Sequence, residues 1–447
     1  MADYVLELAE FAANLRLADL PTRVVAQAHT VVTDTVGVIL AGSVLPEVVA
    51  LAEQAAVLGP GDSATILGRR RRAAPPYAAL VNGTGGVSLE LDEGNQFAIN
   101  HPSIHLLPAA LAMAEHLGVR GEKLLEAVVA GYEVAVRVGR ASKLRAGVHP
   151  FGTHAVMGAT VAVAKLQGLG AREMAAALRV GAGMAVASSQ GAANKGATVR
   201  NAYTGMTNMA GLMAPFLSTS GIIGEPDGIE VTFGYLLGAG FDPVGIVDDL
   251  GQRWYITQNY FKLQACSRWN HAPVEAIERL LPRKPFSPDQ VEAILVETYD
   301  PAIRLNGRDP VNWFAAKHSI PYNVAAMICF GTAGPEAHTP ERVADPTVRE
   351  VAARVTVQED PALTALTPDI RAGRVKVLLR DGTRLEEYVD RPRGGFDNPY
   401  TPEELNEKFL RLAGRALGED GARRALDLCR RCAELPDVRL LTDALAG

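Results

Sequence analysis

Glu90, Asp92 and Glu93 stand just before the segment His101-Pro102-Ser103-Ile104-His105. Carboxylates beside imidazoles are the ingredients of proton transfer, since an anionic neighbour tunes and orients a histidine. His101 and His105, four apart, would share a helix face. As a metal pair they would need a third ligand, and His116 lies too far along the helix axis to supply it. The plain alternative is an acidic loop that places negative charge at a helix N-terminus. The segment GVHPFGTHAVMG (Gly147–Gly158) adds His149 and His154 in a loop broken by Gly and Pro. A histidine in such a loop can enter a cleft, although a lone one is more often simply exposed. Further on, KLQACSRWNH brings Lys262, Ser267, Arg268 and His271 together, and KHSIPY brings Lys317, His318, Ser319 and Tyr322. Each segment sits beside Gly, Pro or a change in sequence character. Several separated loops that each offer a cation, an imidazole or a phenol are how a pocket for a multiply charged anion is assembled.

The elements that must position these groups divide the chain. Residues 1–260 carry helical periodicity, with apolar residues at helical spacing over Pro21–Ala41 and Glu122–Gly139. Met157–Leu169 and Glu173–Ala187 are Ala-rich enough for helices buried on several sides. Glycines at 42, 118, 139 and 168 are the expected stops. Past residue 260 the character changes. Val291–Thr298 and Arg354–Gln358 read as strands from their β-branched content. Arg374–Val389 reads as a hairpin across Asp381-Gly382. Glu403–Leu412 and Glu419–Ala433 return to helix. The expected fold class is mainly α with a smaller α+β domain: a large all-helical domain, residues 1–260 plus 398–447, interrupted by an α+β lid over 261–397.

Composition narrows the function. The 447 residues carry a formal charge of −6, which argues against a nucleic-acid partner. That charge also provides no global pull on an acidic substrate, so any anion site must be built locally. The 69 alanines and 43 glycines make a quarter of the chain, pointing to closely packed helices. No run reaches 18 uninterrupted apolar residues, so no membrane span is expected. The N-terminal MADYVLELAEF lacks the basic and apolar regions of a signal peptide. Of the four cysteines, Cys429 and Cys432 form one CxxC with no second ligand pair near it. The chain reads as cytoplasmic with reduced thiols. There is no Walker A, GxSxG or HExxH motif, and Gly83–Gly86 lacks dinucleotide-binding spacing.

In order and spacing the chain resembles the MmgE/PrpD family, which includes 2-methylcitrate dehydratases, cis-aconitate decarboxylases and iminodisuccinate epimerases. The resemblance rests on TDTVGVILAGS (Thr33–Ser43), ELDE followed by HPS, AVVAGYEVAVRVGRA (Ala127–Ala141) and the stretch Gly147–Leu169. It continues through Lys262–His271, AKHSIPY (Ala316–Tyr322) and DNPYTPEELNEKF (Asp397–Phe409). It implies a helical domain with an inserted lid, a small polycarboxylate substrate, no metal or organic cofactor, and a homodimer. By the same resemblance the acid/base histidines fall on His101 and His149 rather than His154. The segment lysine falls on Lys262 and a tyrosine on Tyr322. The acidic run falls on Glu90, Asp92 and Glu93. Carboxylate binding falls to Arg200, Arg268, His271 and Ser267. Three departures are visible. Glu90 replaces the usual Asp, Arg200 replaces a lysine, and Ser267 stands where the decarboxylase branch has a histidine. The implied activity is a cofactor-independent lyase, dehydratase-like, working through an enolate-like transition state. An epimerase or decarboxylase of a related polycarboxylate is the alternative, and a non-catalytic polycarboxylate-binding homologue a further one. Residue roles beyond this, base against acid above all, are left open by the sequence.

Overall fold

A computed structural model of the chain describes residues 3–447; Met1 and Ala2 of the expected N-terminal helix lie outside them. Helix accounts for 56% and strand for 11%, so the mainly α class with a smaller α+β part is what the chain adopts. Two hydrophobic cores organise it. The first draws its buried side chains from residues 5–261 and again from 409–445. The second draws on residues 272–389.

The first core is a stack of helices, among them Thr22–Gly42, Pro75–Val87, Pro102–Leu117, Gly121–Ala141, Val156–Leu166 and Val199–Thr219. Small residues let them approach closely. A Cβ on Gly42 would stand 1.9 Å from the Gly85 carbonyl, and one on Gly131 would stand 2.5 Å from that of Gly158. The Ala/Gly excess is therefore packing, including at Gly83–Gly86, which lie inside a helix. Of the expected stops, Gly118 is a left-handed C-cap, whereas Gly139 lies inside its helix. The helices expected over Met157–Leu169 and Glu173–Ala187 run instead over Val156–Leu166 and Ala171–Ala182. Thr22–Gly42 is long and apolar enough by composition to cross a membrane, yet two thirds of its apolar window is buried inside the protein. The C-terminal helix Pro402–Arg430, broken at Gly418 (φ 68°), packs along it and sends Lys408 to Asp34 at 2.5 Å.

The second core holds a four-stranded sheet in the order Val355–Glu359, Val291–Thr298, Gly373–Leu379, Arg384–Val389. The first pair is parallel and the other two antiparallel. Strict alternation along Gly373–Leu379 turns Val375, Val377 and Leu379 inward, beneath the helices His271–Arg283 and Ile320–Phe330. The hairpin forms where Asp381-Gly382 predicts it, but through a longer loop than that pair suggests. Leu379 N–H donates to Thr383 O, Gly382 N–H donates to Leu379 O, and Gly382 sits at φ 88°. That is the three-residue turn closed by a left-handed glycine rather than the two-residue form.

Candidate active site

A cavity of about 90 Å³ lies where the two cores meet. Glu90, His101, His149, Arg200 and Tyr260 reach it from the first unit. Ser267, Arg268, His318 and Arg371 reach it from the junction and the second unit. Local folding fixes each one. His101 is the residue before Pro102, which starts its helix, so its side chain sits at the helix mouth. Arg200 lies in the first turn of Val199–Thr219 and stacks 3.9 Å over the Phe151 ring. Glu90 (φ 55°) and Ile99 (φ 50°), both lining the cavity, occupy left-handed backbone that a side chain disfavours. Such strain costs on the order of 1–3 kcal/mol per residue and gathers at functional sites.

The charges form one buried chain. Asp92 Oδ2 accepts from His101 Nδ1 at 2.5 Å, and Lys262 Nζ donates to Asp92 Oδ1 at 3.2 Å. Lys262 also lies 3.7 Å from Glu90 Oε2, and Glu90 Oε1 pairs with Arg200. Burial by itself would raise the Glu90 carboxyl, but Arg200, Lys262 and His318 outweigh it and lower it to about 2. Burial would likewise raise Asp92, and His101 and Lys262 reverse it to well below the usual range. Burial would strip Lys262 of its proton, yet Asp92 and Glu90 push its pKa up, so it remains an ammonium. Four cations (Arg200, Lys262, Arg268, Arg371) thus meet two carboxylates. Arg268 anchors part of its fork on the Pro392 and Arg393 carbonyls, and among the described residues no carboxylate lies within ion-pair distance of it. The local excess of positive charge suits an anion, as the chain's overall charge does not.

Hydrogen bonds assign the histidine protons, which the sequence left open. Asp92 holds the proton of neutral His101 on Nδ1, freeing Nε2 as an acceptor 3.3 Å from the Tyr260 hydroxyl. Phe151 N–H donates to His149 Nδ1 at 3.0 Å, so the His149 proton sits on Nε2 and makes that atom a donor. His318 Nδ1 donates to Phe314 O, which leaves Nε2 bare, 3.9 Å from Glu90 and without a hydrogen-bond partner. Burial pushes all three down, His101 against the opposing pull of Asp92, His318 to about 4, and His149 well below the ordinary value with Arg200 adding to it. All three are therefore neutral at physiological pH. The result is one oriented base (His101), one neutral donor (His149) and a second bare acceptor (His318).

Several sequence expectations land elsewhere. Tyr322 is buried in the second core and spends its hydroxyl on Ala337 O, so it does not reach the cavity. His318, four residues earlier in the same KHSIPY segment, does. The helix beginning at Ile320 turns Tyr322 inward, a facing that the motif alone does not reveal. Lys262 is fully buried behind the two carboxylates and clamps them without lining the cavity. His271 accepts from Arg268 at Nδ1 (3.2 Å) and donates to Cys266 O, which makes it a support for that arginine. His105 is spent on His101 O and Thr204 and packs edge-on to Phe151. Tyr260 and Arg371 went unread because one stands two residues before the lysine segment and the other is an arginine beside a strand, where such side chains are usually solvated. Among the described residues, no three His, Cys, Asp or Glu side chains converge as a metal site.

Fold and site together define a two-core helical protein with a cationic, histidine-lined cavity between its cores. Sequence comparison agrees with that class. The MmgE/PrpD N-terminal domain matches residues 6–240 and the MmgE/PrpD C-terminal domain matches residues 265–434. The chain belongs to the MmgE/PrpD family. It is 26% identical to a cis-aconitate decarboxylase-like protein of Aspergillus oryzae, over 99% of this chain and 97% of that one. It is 25% identical to the cis-aconitate decarboxylase of Homo sapiens, over 97% and 92%. A 2-methylcitrate dehydratase-like protein of Aspergillus oryzae is 29% identical over 39% of this chain and 38% of its own.

Proposed function

We propose that the protein is a cofactor-independent lyase that removes water from a small hydroxy-polycarboxylate. The observation that carries this reading is His101, with Nδ1 fixed by Asp92 and Nε2 open beside a cavity where cations exceed carboxylates. A base held in that tautomer takes a proton from carbon next to a carboxylate. Charge then grows on that carboxylate, and Arg200, Arg268, Arg371 and His149 Nε2–H are donors already in position to stabilise it. Tyr260, within reach of His101 Nε2, is the candidate for handing a proton to the departing hydroxyl. Geometry favours proton abstraction over decarboxylation, because donors gathered on a carboxylate stabilise its charged ground state as well as the transition state. Ser267, where the decarboxylase branch of the resemblance has a histidine, points the same way.

Decarboxylation is the second reading, favoured by the names of the near-full-length relatives. Epimerisation through His149 and Lys262 gains less support, since Lys262 is engaged by Asp92 and Glu90. The test uses purified protein with EDTA against 2-methylcitrate, citrate, cis-aconitate and iminodisuccinate. It follows the ultraviolet absorbance of the unsaturated acid, released carbon dioxide and exchange of substrate carbon-bound hydrogen in deuterated water. Exchange with water loss is expected. Carbon dioxide release without prior exchange would favour the second reading, and no turnover or exchange with any of them would sink both.

A homodimer in a reducing, cytoplasmic setting is part of the same proposal. Helix Val199–Thr219 leaves Val199, Met206 and Phe216 exposed along one face with Met209 and Met213 half-buried between them, a seam of the spacing that pairs helices. Light scattering at the mass of one chain would refute the dimer.

A further inference from the structure

A second cavity, about 590 Å³, lies apart from the histidine site. It opens between the helix Thr22–Gly42, the start of the C-terminal helix and the loop at Gly394–Tyr400. Its polar wall is mixed: Asn259 Nδ2 is a buried donor with no hydrogen-bond partner, whereas the hydroxyls have spent theirs. The hydroxyls of Thr30, Thr33 and Thr257 each donate to a carbonyl of their own segment, at Ala26, His29 and Trp254. His29 Nδ1–H donates to Cys429 O, so Nε2 is left as an acceptor. Asp34, 6% exposed, pairs with Lys408 through Oδ1, while its Oδ2 has no hydrogen-bond partner. Opposite stand the apolar rings of Phe261, Phe396 and Tyr400.

Several acceptors and a free amide donor facing aromatic rings suit a ligand that both donates and accepts hydrogen bonds and has an apolar face. An anion would set its charge against Asp34 Oδ2. A cation gains little, because Asp34 already has Lys408 as counter-ion and the guanidinium of Arg430 stands at the mouth. We propose that this second cavity binds a neutral polyhydroxylated small molecule of the sugar class. Its volume falls in the range of built ligand sites, about 300–1,000 Å³. The inference does not depend on the reaction proposed above.

Occupancy would be felt at the catalytic cavity, since one short chain segment, from the turn Tyr255–Gln258 to Phe261, separates the two. Thr257, Asn259 and Phe261 line the rear cavity while Tyr260, between them, lines the catalytic one. Tyr260 also bridges to Gly395, in the loop whose Pro392 and Arg393 carbonyls hold Arg268.

The test is saturation-transfer NMR and calorimetry on the full chain with D-ribose, D-glucose, 1,4-diaminobutane and citrate as probes. A pentose or hexose is expected to bind with Kd of about 1 mM or tighter. Thr30→Val, which removes one acceptor, and Asn406→Leu, which blocks the mouth, should each weaken it about tenfold while leaving citrate binding unchanged. Both sites are partly exposed, so the variants should fold, and circular dichroism checks this. Preference for the diamine, no sugar binding to the wild type, or sugar binding that both variants leave intact would each overturn the proposal.

Discussion

The two cavities stand back to back across Asn259–Phe261 and differ in what they offer a ligand. The histidine-lined one is small and rich in donors: three arginines and His149 Nε2–H, with His101 Nε2 accepting near Tyr260 and His318 Nε2 as a bare acceptor. The rear one is several times larger and its wall offers acceptors beside the free Asn259 amide, with its single buried carboxylate already matched by Lys408. Volume is thus not what singles out the proposed reaction site. The histidine-lined cavity is marked instead by left-handed Glu90 and Ile99 and by a buried charge chain. Taking charges out of water is costly, and the chain persists because each charge meets an opposite one.

The sharpest way to break this contrast is His101→Asn. Loss of the oriented base should lower kcat by about 10²–10⁴, whereas Thr30→Val in the rear cavity should leave turnover without sugar unchanged. Equal losses in steady-state kinetics would erase the distinction. Lys262→Met comes next. It leaves Asp92 and Glu90 short of a buried counter-ion, and urea unfolding should show a loss of about 3–5 kcal/mol. A collapse of activity with stability intact would instead make Lys262 a reacting group. Arg200→Lys keeps the charge but loses the fork and the stacking on Phe151. A rise in KM of about tenfold is expected, in line with one charged hydrogen bond of roughly 1.5 kcal/mol.

Stability against pH tests the neutral histidines. Burial lowers His105 to about 3, His154 and His318 to about 4, and His149, His271 and His338 well below the ordinary value. The unfolded chain therefore binds more protons below about pH 6.5, so stability is complete above that value and falls as pH drops toward 4. Glu93 and Glu133, each raised to about 7 by burial, act in the opposite sense, costing stability as pH rises from about 4.3 through 7. The histidines outnumber them, so Tm should decline from pH 7 to pH 5. A flat or rising Tm would show that these imidazoles take up protons without unfolding. The smallest effect is reserved for Tyr322→Phe, which loses one hydrogen bond to Ala337 O. It should cost about 1 kcal/mol by urea unfolding and leave turnover untouched.

Much of the fold was legible because its signals are local. The strand Val291–Thr298 and the Asp381-Gly382 hairpin follow from residue type and alternation, and the return to helix near Glu403 from its capping sequence. The site was legible by segment more than by residue. ELDE, HPS, the His149 loop and the Lys262–Arg268 stretch all contribute to the cavity or to the charge chain behind it. KHSIPY contributes too, but through His318, because the helix geometry after Ser319 decides which side chain faces the junction. Arg371 carries no sequence signal, since an arginine beside a strand is usually solvated. It counts only because the second unit turns it toward the first.

By itself, the sequence determined which elements form, where the small residues allow helices to cross, and which loops carry ionisable groups, because these depend on neighbours a few residues apart. Only the tertiary structure decided that Lys262 is a clamp, that His149 donates where His101 accepts, and that Tyr322 is spent on a carbonyl. Each of those outcomes depends on a partner remote in the chain or on a direction in space. A proton's position on an imidazole is fixed by the group that reaches its other nitrogen, and nothing in the order of residues specifies that.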